Sequence, residues 1–226
     1  AQGYRMSDIY EAGIDSRSGK ILAPPEIKIK SREGRNSWPD YSFDGKFLAY
    51  VSTLSHSFQA ALHPNVLCLY SLQNGEMREF PTKFKRIDGT RWAPDNRFLY
   101  LDVEDNLGQG IYRVNVQNGE FTLIVRAKFR FYRHEISPDG NMLVYERRDD
   151  PKSAYQIISR NLTTGDEKQL YSGRSQSYSI SPDGRRLAMM NWDKTKLLQV
   201  MPLSGGKPKE LLRLEESKSY RISVEW

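Results

Sequence analysis

The sequence predicts an all-β propeller built from four-stranded antiparallel blades, and three observations carry that expectation. A turn of the Pro-Asp-Gly type recurs four times between short apolar runs, at Ser42-Phe43-Asp44-Gly45, Ala93-Pro94-Asp95-Asn96, Ser137-Pro138-Asp139-Gly140 and Ser181-Pro182-Asp183-Gly184. Its spacing is regular: 44 residues separate Asp95 from Asp139 and Asp139 from Asp183, and 51 separate Asp44 from Asp95, the same unit with a longer loop. A second mark, at Asn74-Gly75, Asn118-Gly119, Thr164-Gly165 and Gly205-Gly206, follows each first mark by 22 to 31 residues. A period in the forties with strand patterning throughout is the signature of propeller blades.

Each unit reads as strand A, Pro-Asp-Gly turn, strand B, a variable loop, strand C, Asn-Gly turn and strand D. Pro pre-sets φ at the second turn position, Asp tolerates the third, and Gly or Asn supplies a left-handed residue. The Asn-Gly mark predicts a two-residue hairpin. Residues 1–35 form a partial blade of strands C and D, with Glu26-Ile27-Lys28-Ile29 as D. Blades then span 36–83, 84–127, 128–173 and 174–219, and 220–226 repeats the strand-A pattern. Strand B is Phe47–Val51, Phe98–Leu101, Met142–Tyr145 and Leu187–Met190, apolar on both faces as a strand between two neighbouring sheets must be. Strand C follows at Val66–Tyr70, Ile111–Val114, Tyr155–Ile158 and Leu197–Val200. Tyr41, Trp92, Ile136 and Ile180 occupy equivalent strand-A positions and are expected to be buried between blades.

A continuous repeat with no linker argues for one domain over 1–226. The two ends together lack a strand B, which leaves two architectures: a segment of a larger propeller, or a five-bladed ring closed by both termini. The segment is preferred, because a ring missing a strand leaves backbone groups unpaired. No stretch approaches the roughly twenty apolar residues of a membrane span, and the first residues do not read as a signal peptide. The single cysteine, Cys68, excludes a disulfide framework and reads as a buried thiol in a strand C.

The pattern Trp/Ile-Ser-Pro-Asp-Gly-x-x-Leu-x-Tyr, followed by Ile-Tyr and then Thr/Asn-Gly-Glu, resembles the WD40-like propeller repeat of the bacterial TolB family and covers nearly the whole chain. The resemblance implies a non-enzymatic interaction or ligand-sensing module, a scaffold of the cell envelope or periplasm, and leaves a cytoplasmic location open. The same blade also serves the gating propeller of prolyl-oligopeptidase-type hydrolases, so an accessory propeller whose catalytic domain lies outside this chain is the alternative. The sequence departs from the pattern at Phe43, Asn96 and Gly205-Gly206, where turn geometry is expected to differ.

No motif of an enzyme is present: no Gly-x-Ser-x-Gly elbow, phosphate-binding loop, Cys-x-x-Cys or His-Glu-x-x-His. The expectation is therefore no enzyme, no cofactor and no metal. His56, His63 and His134 could face one end of a propeller, and related pectin-oligomer lyases bind a metal through histidines, but without local ligand spacing these read as surface or packed residues. Asp44, Asp95, Asp139 and Asp183 read as turn residues bonding nearby amides rather than as catalytic acids.

The sharper feature is basic. Connections from strand D to the next strand A carry Lys83, Lys85 and Arg86, then Lys128, Arg130 and Arg133, then Arg174, with Phe84, Phe129, Phe131 and Tyr132 interleaved and Trp192 in a B–C loop. Propeller geometry puts these connections on one face with the B–C loops, around the mouth of the central channel. With a formal net charge of +6, that face is expected to dock a protein segment or acidic peptide. A plainer reading is that Asp88, Asp105, Asp149, Asp150 and Asp193 neutralise solvated loops. Nucleic acid is not expected, since no recognised nucleic-acid module is present.

Overall fold

Two short strands, β1 (Ile9–Glu11) and β2 (Glu26–Ile29), pair antiparallel at the start of the structure. Four four-stranded sheets follow in chain order. The first holds β3 (Gly34–Tyr41), β4 (Phe47–Leu54), β5 (Asn65–Ser71) and β6 (Met77–Pro81), and the second β7 (Arg86–Trp92), β8 (Phe98–Asp105), β9 (Gly108–Asn115) and β10 (Phe121–Ala127). The third holds β11 (His134–Ile136), β12 (Met142–Arg147), β13 (Gln156–Asn161) and β14 (Glu167–Ser172), and the fourth β15 (Ser175–Ile180), β16 (Arg186–Asn191), β17 (Lys196–Pro202) and β18 (Lys209–Leu214). Neighbours in each sheet are consecutive in sequence and antiparallel. This is a computed structural model, and it describes residues 7–15, 17–30, 34–54, 65–127, 133–150, 152–173, 175–191 and 196–214.

The sheets stack face on face, because the second strand of each is apolar on both sides. Leu48, Ala49, Tyr50 and Val51 are all buried, and they divide between two clusters: Leu48 and Tyr50 meet Ile9, Ile29, Val66 and Cys68, while Ala49 and Val51 meet Trp92, Leu99 and Leu101 of the second sheet. The same division recurs at Tyr100 and Leu143 between the second and third sheets, and at Val144 and Met189 between the third and fourth. Each fully buried Leu or Ile in these seams contributes about 1.5–3 kcal/mol. Cys68 is buried, as expected of a packing thiol.

The first strands β3, β7, β11 and β15 lie beside one another from sheet to sheet, so they form the inner wall. Tyr41, Trp92, Ile136 and Ile180 do stand in equivalent register, opposite Leu48, Leu99, Leu143 and Leu187. Trp92 and Ile180 are buried; Ile136 is half-buried and Tyr41 is exposed. Tyr41 departs from the expectation because its hydroxyl donates to Glu11 at the surface, at the side that, among the described residues, is covered by β1 and β2 alone.

Turn chemistry is more uniform than the departures suggest. Gly45, Asn96, Gly140 and Gly184 are all left-handed, with φ of 56° to 73°, and each donates its amide to the carbonyl three residues back at 2.8–3.0 Å. Phe43 and Asn96 therefore change nothing in the first and second turns; asparagine tolerates φ > 0 because its short polar side chain costs little there. The second mark is not a two-residue hairpin. Gly75, Gly119 and Gly165 each donate to the carbonyl four residues back, closing four-residue loops in which only the glycine is left-handed. In the fourth sheet Gly205 instead bonds Pro202, three residues back, so that turn does differ. The turn aspartates act as expected: Asp44, Asp139 and Asp183 accept from Ser42, Ser137 and Ser181 and from the amides of Lys46, Asn141 and Arg185. The serine hydrogen bond is the main reason these carboxyls sit below their usual range.

Candidate functional site

The basic connection between β6 and β7 is built by packing. Phe84 inserts its ring against Tyr112 and Phe121 of the next sheet, at centroid separations of 4.9 and 5.5 Å. Buried Asn65 donates its side-chain amide to the carbonyls of Phe84 and Lys85, at 2.9 and 3.1 Å, and accepts from Thr82 at its own carbonyl. With Phe84 fixed inward, its neighbours Lys83 and Lys85 are exposed, and among the described residues neither forms an ion pair. Phe84 is thus a seam residue rather than part of a binding surface, and the sequence alone does not separate those roles.

The other sequence-predicted residues divide. Arg86 is tied to Asp88 at 2.6 Å and to Glu104 at 3.0 Å, which removes it from the set of free cations. Arg133 is exposed and donates to the Ser177 hydroxyl at 3.0 Å. Lys128, Arg130, Arg174 and Trp192 lie outside the described residues, as do His56, His63, Phe129, Phe131, Tyr132 and Asp193. Nearby, Arg126 grips Asp105 through two bonds of 2.8 and 2.9 Å, with the Tyr112 hydroxyl also on Asp105. Burial pushes the Asp105 carboxyl up, but the bonds from Arg126 and Tyr112 outweigh it and hold it at about 2. Neutralisation of the loops by local acids is therefore real at Arg86 and Arg126, and absent at Lys83 and Lys85 among the described residues.

A collar of polar residues on the inner strands was not visible in the sequence. Counting back three residues from the aligned positions gives Trp38, Gly89, Arg133 and Ser177. Trp38 and Arg133 are left-handed, at φ 56° and 69°. Their carbonyls accept hydroxyls from the next sheet: Thr90 donates to Trp38 at 2.6 Å and Tyr178 to Arg133 at 2.9 Å. The strained backbone, which costs about 1–2 kcal/mol per residue, aims each carbonyl across a seam. The middle seam is different. There Gly89 leaves room for Asp102, whose Oδ2 would lie 3.1 Å from a Cβ at that glycine. Asp102 Oδ1 accepts from Nδ1 of buried His134 at 2.8 Å, and His134 Nε2 is buried with no hydrogen-bond partner among the described residues.

One residue before the aligned positions stand Asp40, Arg91 and Glu135. Arg91 lies 3.7 Å from Asp40 and 3.5 Å from Glu135, bridging three sheets. Burial raises both carboxyls; at Asp40 the bond from the Trp92 amide opposes it, and at Glu135 the Arg91 charge does. At the opposite end, a cavity of about 620 Å³ opens between the third and fourth sheets, over Met142 and Leu203. Lys168 and Ser204 both line it, and Lys168 reaches across to the Gly205 turn to donate to the Ser204 carbonyl at 2.6 Å. Among the described residues no three His, Cys, Asp or Glu side chains gather as metal ligands.

The comparisons with known proteins bear on the fold. The chain superposes on the crystal structure of TolB from Acinetobacter baumannii with a TM-score of 0.71 and 20% identity, over 91% of this chain and 48% of that one. Its four sheets are propeller blades. A chain of the nidogen/laminin complex matches with a TM-score of 0.69 at 9% identity, over 92% of this chain and 76% of that one. A prolyl endopeptidase matches with a TM-score of 0.62 at 16% identity, over 90% of this chain and 32% of that one. No protein-family model and no curated protein matches the sequence. The chain spans about half the length of the TolB structure and a third of the endopeptidase, and its blades resemble those of proteins with unlike roles. No helix among the described residues is long and apolar enough to cross a membrane.

Proposed function

We propose that this propeller is a non-enzymatic partner-binding module of the cell envelope, docking an acidic protein segment on the face formed by its D–A connections. The observation that carries the reading is the pair Lys83 and Lys85: exposed, forming no ion pair among the described residues, and held by Phe84 and Asn65 beneath them. Holding the backbone in place cuts the ordering cost of binding, and like charges presented together speed encounter with an anion. Likeness to TolB supports the envelope location. A second reading, an accessory propeller of a prolyl-oligopeptidase-type hydrolase, draws on the endopeptidase match.

The test is binding to acidic peptides, anionic glycans and single-stranded nucleic acid, for the native chain and for Lys83→Glu/Lys85→Glu. Acidic peptides are expected to bind the native chain and to lose most of their affinity for the variant, with its melting temperature nearly unchanged because exposed substitutions shift stability by only about half a kcal/mol. Equal binding to both chains, or none to either, would refute the reading; preference for nucleic acid would replace it.

A further inference from the structure

At the end of the blades where the A–B and C–D turns lie, the seams between the four blades are built from residues in equivalent register. Phe47, Phe98 and Met142 each follow the aspartate of the A–B turn by three residues and open the second strand. Leu69, Arg113 and Ser159 stand on the third strand opposite Ala49, Tyr100 and Val144. In the first seam Phe47 stacks on Trp92 at a centroid separation of 6.4 Å, with Leu69 buried in the same cluster. In the second, Arg97 and Arg113 lie over the Phe98 ring at 5.4 and 4.6 Å. In the third, methionine replaces the phenylalanine, serine replaces Leu69 and Arg113, and Ile180 stands in the register of Trp92. The volume those side chains fill elsewhere is left open here: Met142 and Ser159 line the cavity of about 620 Å³ together with Leu203 of the fourth blade. Close-packed interiors hold few voids larger than a water molecule, whereas a mainly apolar concavity of roughly 300–1,000 Å³ with a few placed polar groups is the usual form of a small-molecule site.

We propose that this cavity binds a small monocarboxylate with an apolar body, the body lying on Met142 and Leu203 and the carboxylate meeting Lys168 and Arg185. Charge complementarity selects that ligand. Lys168 and Arg185 both line the cavity and are exposed, and among the described residues neither forms an ion pair. The bond to the Ser204 carbonyl holds the Lys168 ammonium over the seam and leaves it donors to spare. Two acidic residues also line the cavity, but they do not balance the cations. Glu167 is engaged by the Tyr145 hydroxyl and by Arg147 and Arg160, which leaves Asp166, whose carboxylate accepts from the Thr164 hydroxyl. Two cations therefore face one carboxylate that no cation engages, and charge-assisted bonds to a ligand carboxylate are about twice as strong as neutral ones.

The test is titration of the chain, carrying carbon-13 in its six methionine methyl groups, with octanoate, octanamide and octylamine as probes. Octanoate is expected to shift the Met142 resonance saturably, with octanamide binding about tenfold more weakly and octylamine weaker still. Lys168→Gln/Arg185→Gln, two exposed substitutions, is expected to weaken octanoate by about tenfold and to leave octanamide unchanged. Ser159→Leu, which restores the side chain that fills the first seam, is expected to abolish binding of both. No saturable shift of Met142, equal affinity for acid and amide, or tighter binding of the amine would overturn the proposal. So would octanoate binding that the double substitution leaves unchanged, a result that decides the matter whether or not Ser159→Leu folds. The cavity lies at the opposite end of the blades from Lys83 and Lys85, so this reading and that of peptide docking stand or fall separately.

Discussion

Replacing Asp102 by alanine tests how the second and third blades are joined. The carboxylate is buried, accepts from His134 Nδ1 at 2.8 Å and occupies the space above Gly89. Its removal leaves Nδ1 of a buried histidine without an acceptor, in a ring whose Nε2 has no partner among the described residues either. Orphaning a buried donor costs about 1–3 kcal/mol, and the few missing atoms add a small cavity term, so the loss is expected to be about 2–3 kcal/mol. For a chain of this size that is about 4–12 °C in melting temperature. Asp102→Asn keeps an oxygen acceptor and should lose less. The assay is urea unfolding of Asp102→Ala, His134→Ala and the double variant. Residues sharing a buried bond couple by about 0.5–3 kcal/mol, so the double variant should be less destabilised than the sum of the singles. Additivity to within about 0.5 kcal/mol would show that the bond contributes nothing to the seam.

The turn glycines should discriminate between side chains: Gly140→Val, at φ 73°, is expected to lower the urea midpoint clearly, whereas Gly45→Asn should be nearly neutral because Asn96 already fills the same place at φ 56°. The Asp105–Arg126 clamp makes stability pH-dependent. With the folded carboxyl at about 2 and the unfolded one near 3.9, its contribution is complete above about pH 4 and is lost as pH falls towards 2; Asp105→Asn should flatten that part of the stability–pH curve measured by urea unfolding. Gly89→Ala should destabilise the native chain by displacing the Asp102 carboxylate, and should do so much less in the Asp102→Ala background, as urea midpoints of the four chains will show.

Much of the fold was legible because it is written in local chemistry. Apolar runs such as Leu48–Val51 announce a strand covered on both faces, and Asp139-Gly140 announces a turn without reference to anything distant. Asn74-Gly75 misled because the dipeptide suits a two-residue hairpin, while the four-residue loop closing on Ser71 needs only the glycine to be left-handed. The candidate site was half legible. Lys83 and Lys85 are exposed as their charge suggests, but Phe84 between them points into the seam, and an aromatic in a basic loop looks the same in sequence whether it packs or projects. The pairing of Arg86 is only partly legible, because Glu104, one of its partners, lies on the adjacent strand. The inner collar was missed for a different reason. Asp102 and His134 stand 32 residues apart, and nothing local to either marks them as a pair. Alignment of the blades on their turns places Asp40, Arg91 and Glu135 in one column, but it pairs neither Asp102 nor His134.

The central claim is that Lys83 and Lys85 form the docking edge for an acidic partner. The most direct measurement is the association rate of an acidic peptide, for the native chain and for Lys83→Glu/Lys85→Glu, as salt is raised and the screening length falls from about 30 Å to about 3 Å. The account predicts fast association at low salt that slows steeply with added salt in the native chain, a variant slow at every salt concentration, and dissociation rates that differ little, because exposed charges act mainly on encounter. An association rate indifferent to salt, or one that the double reversal leaves unchanged, would contradict it.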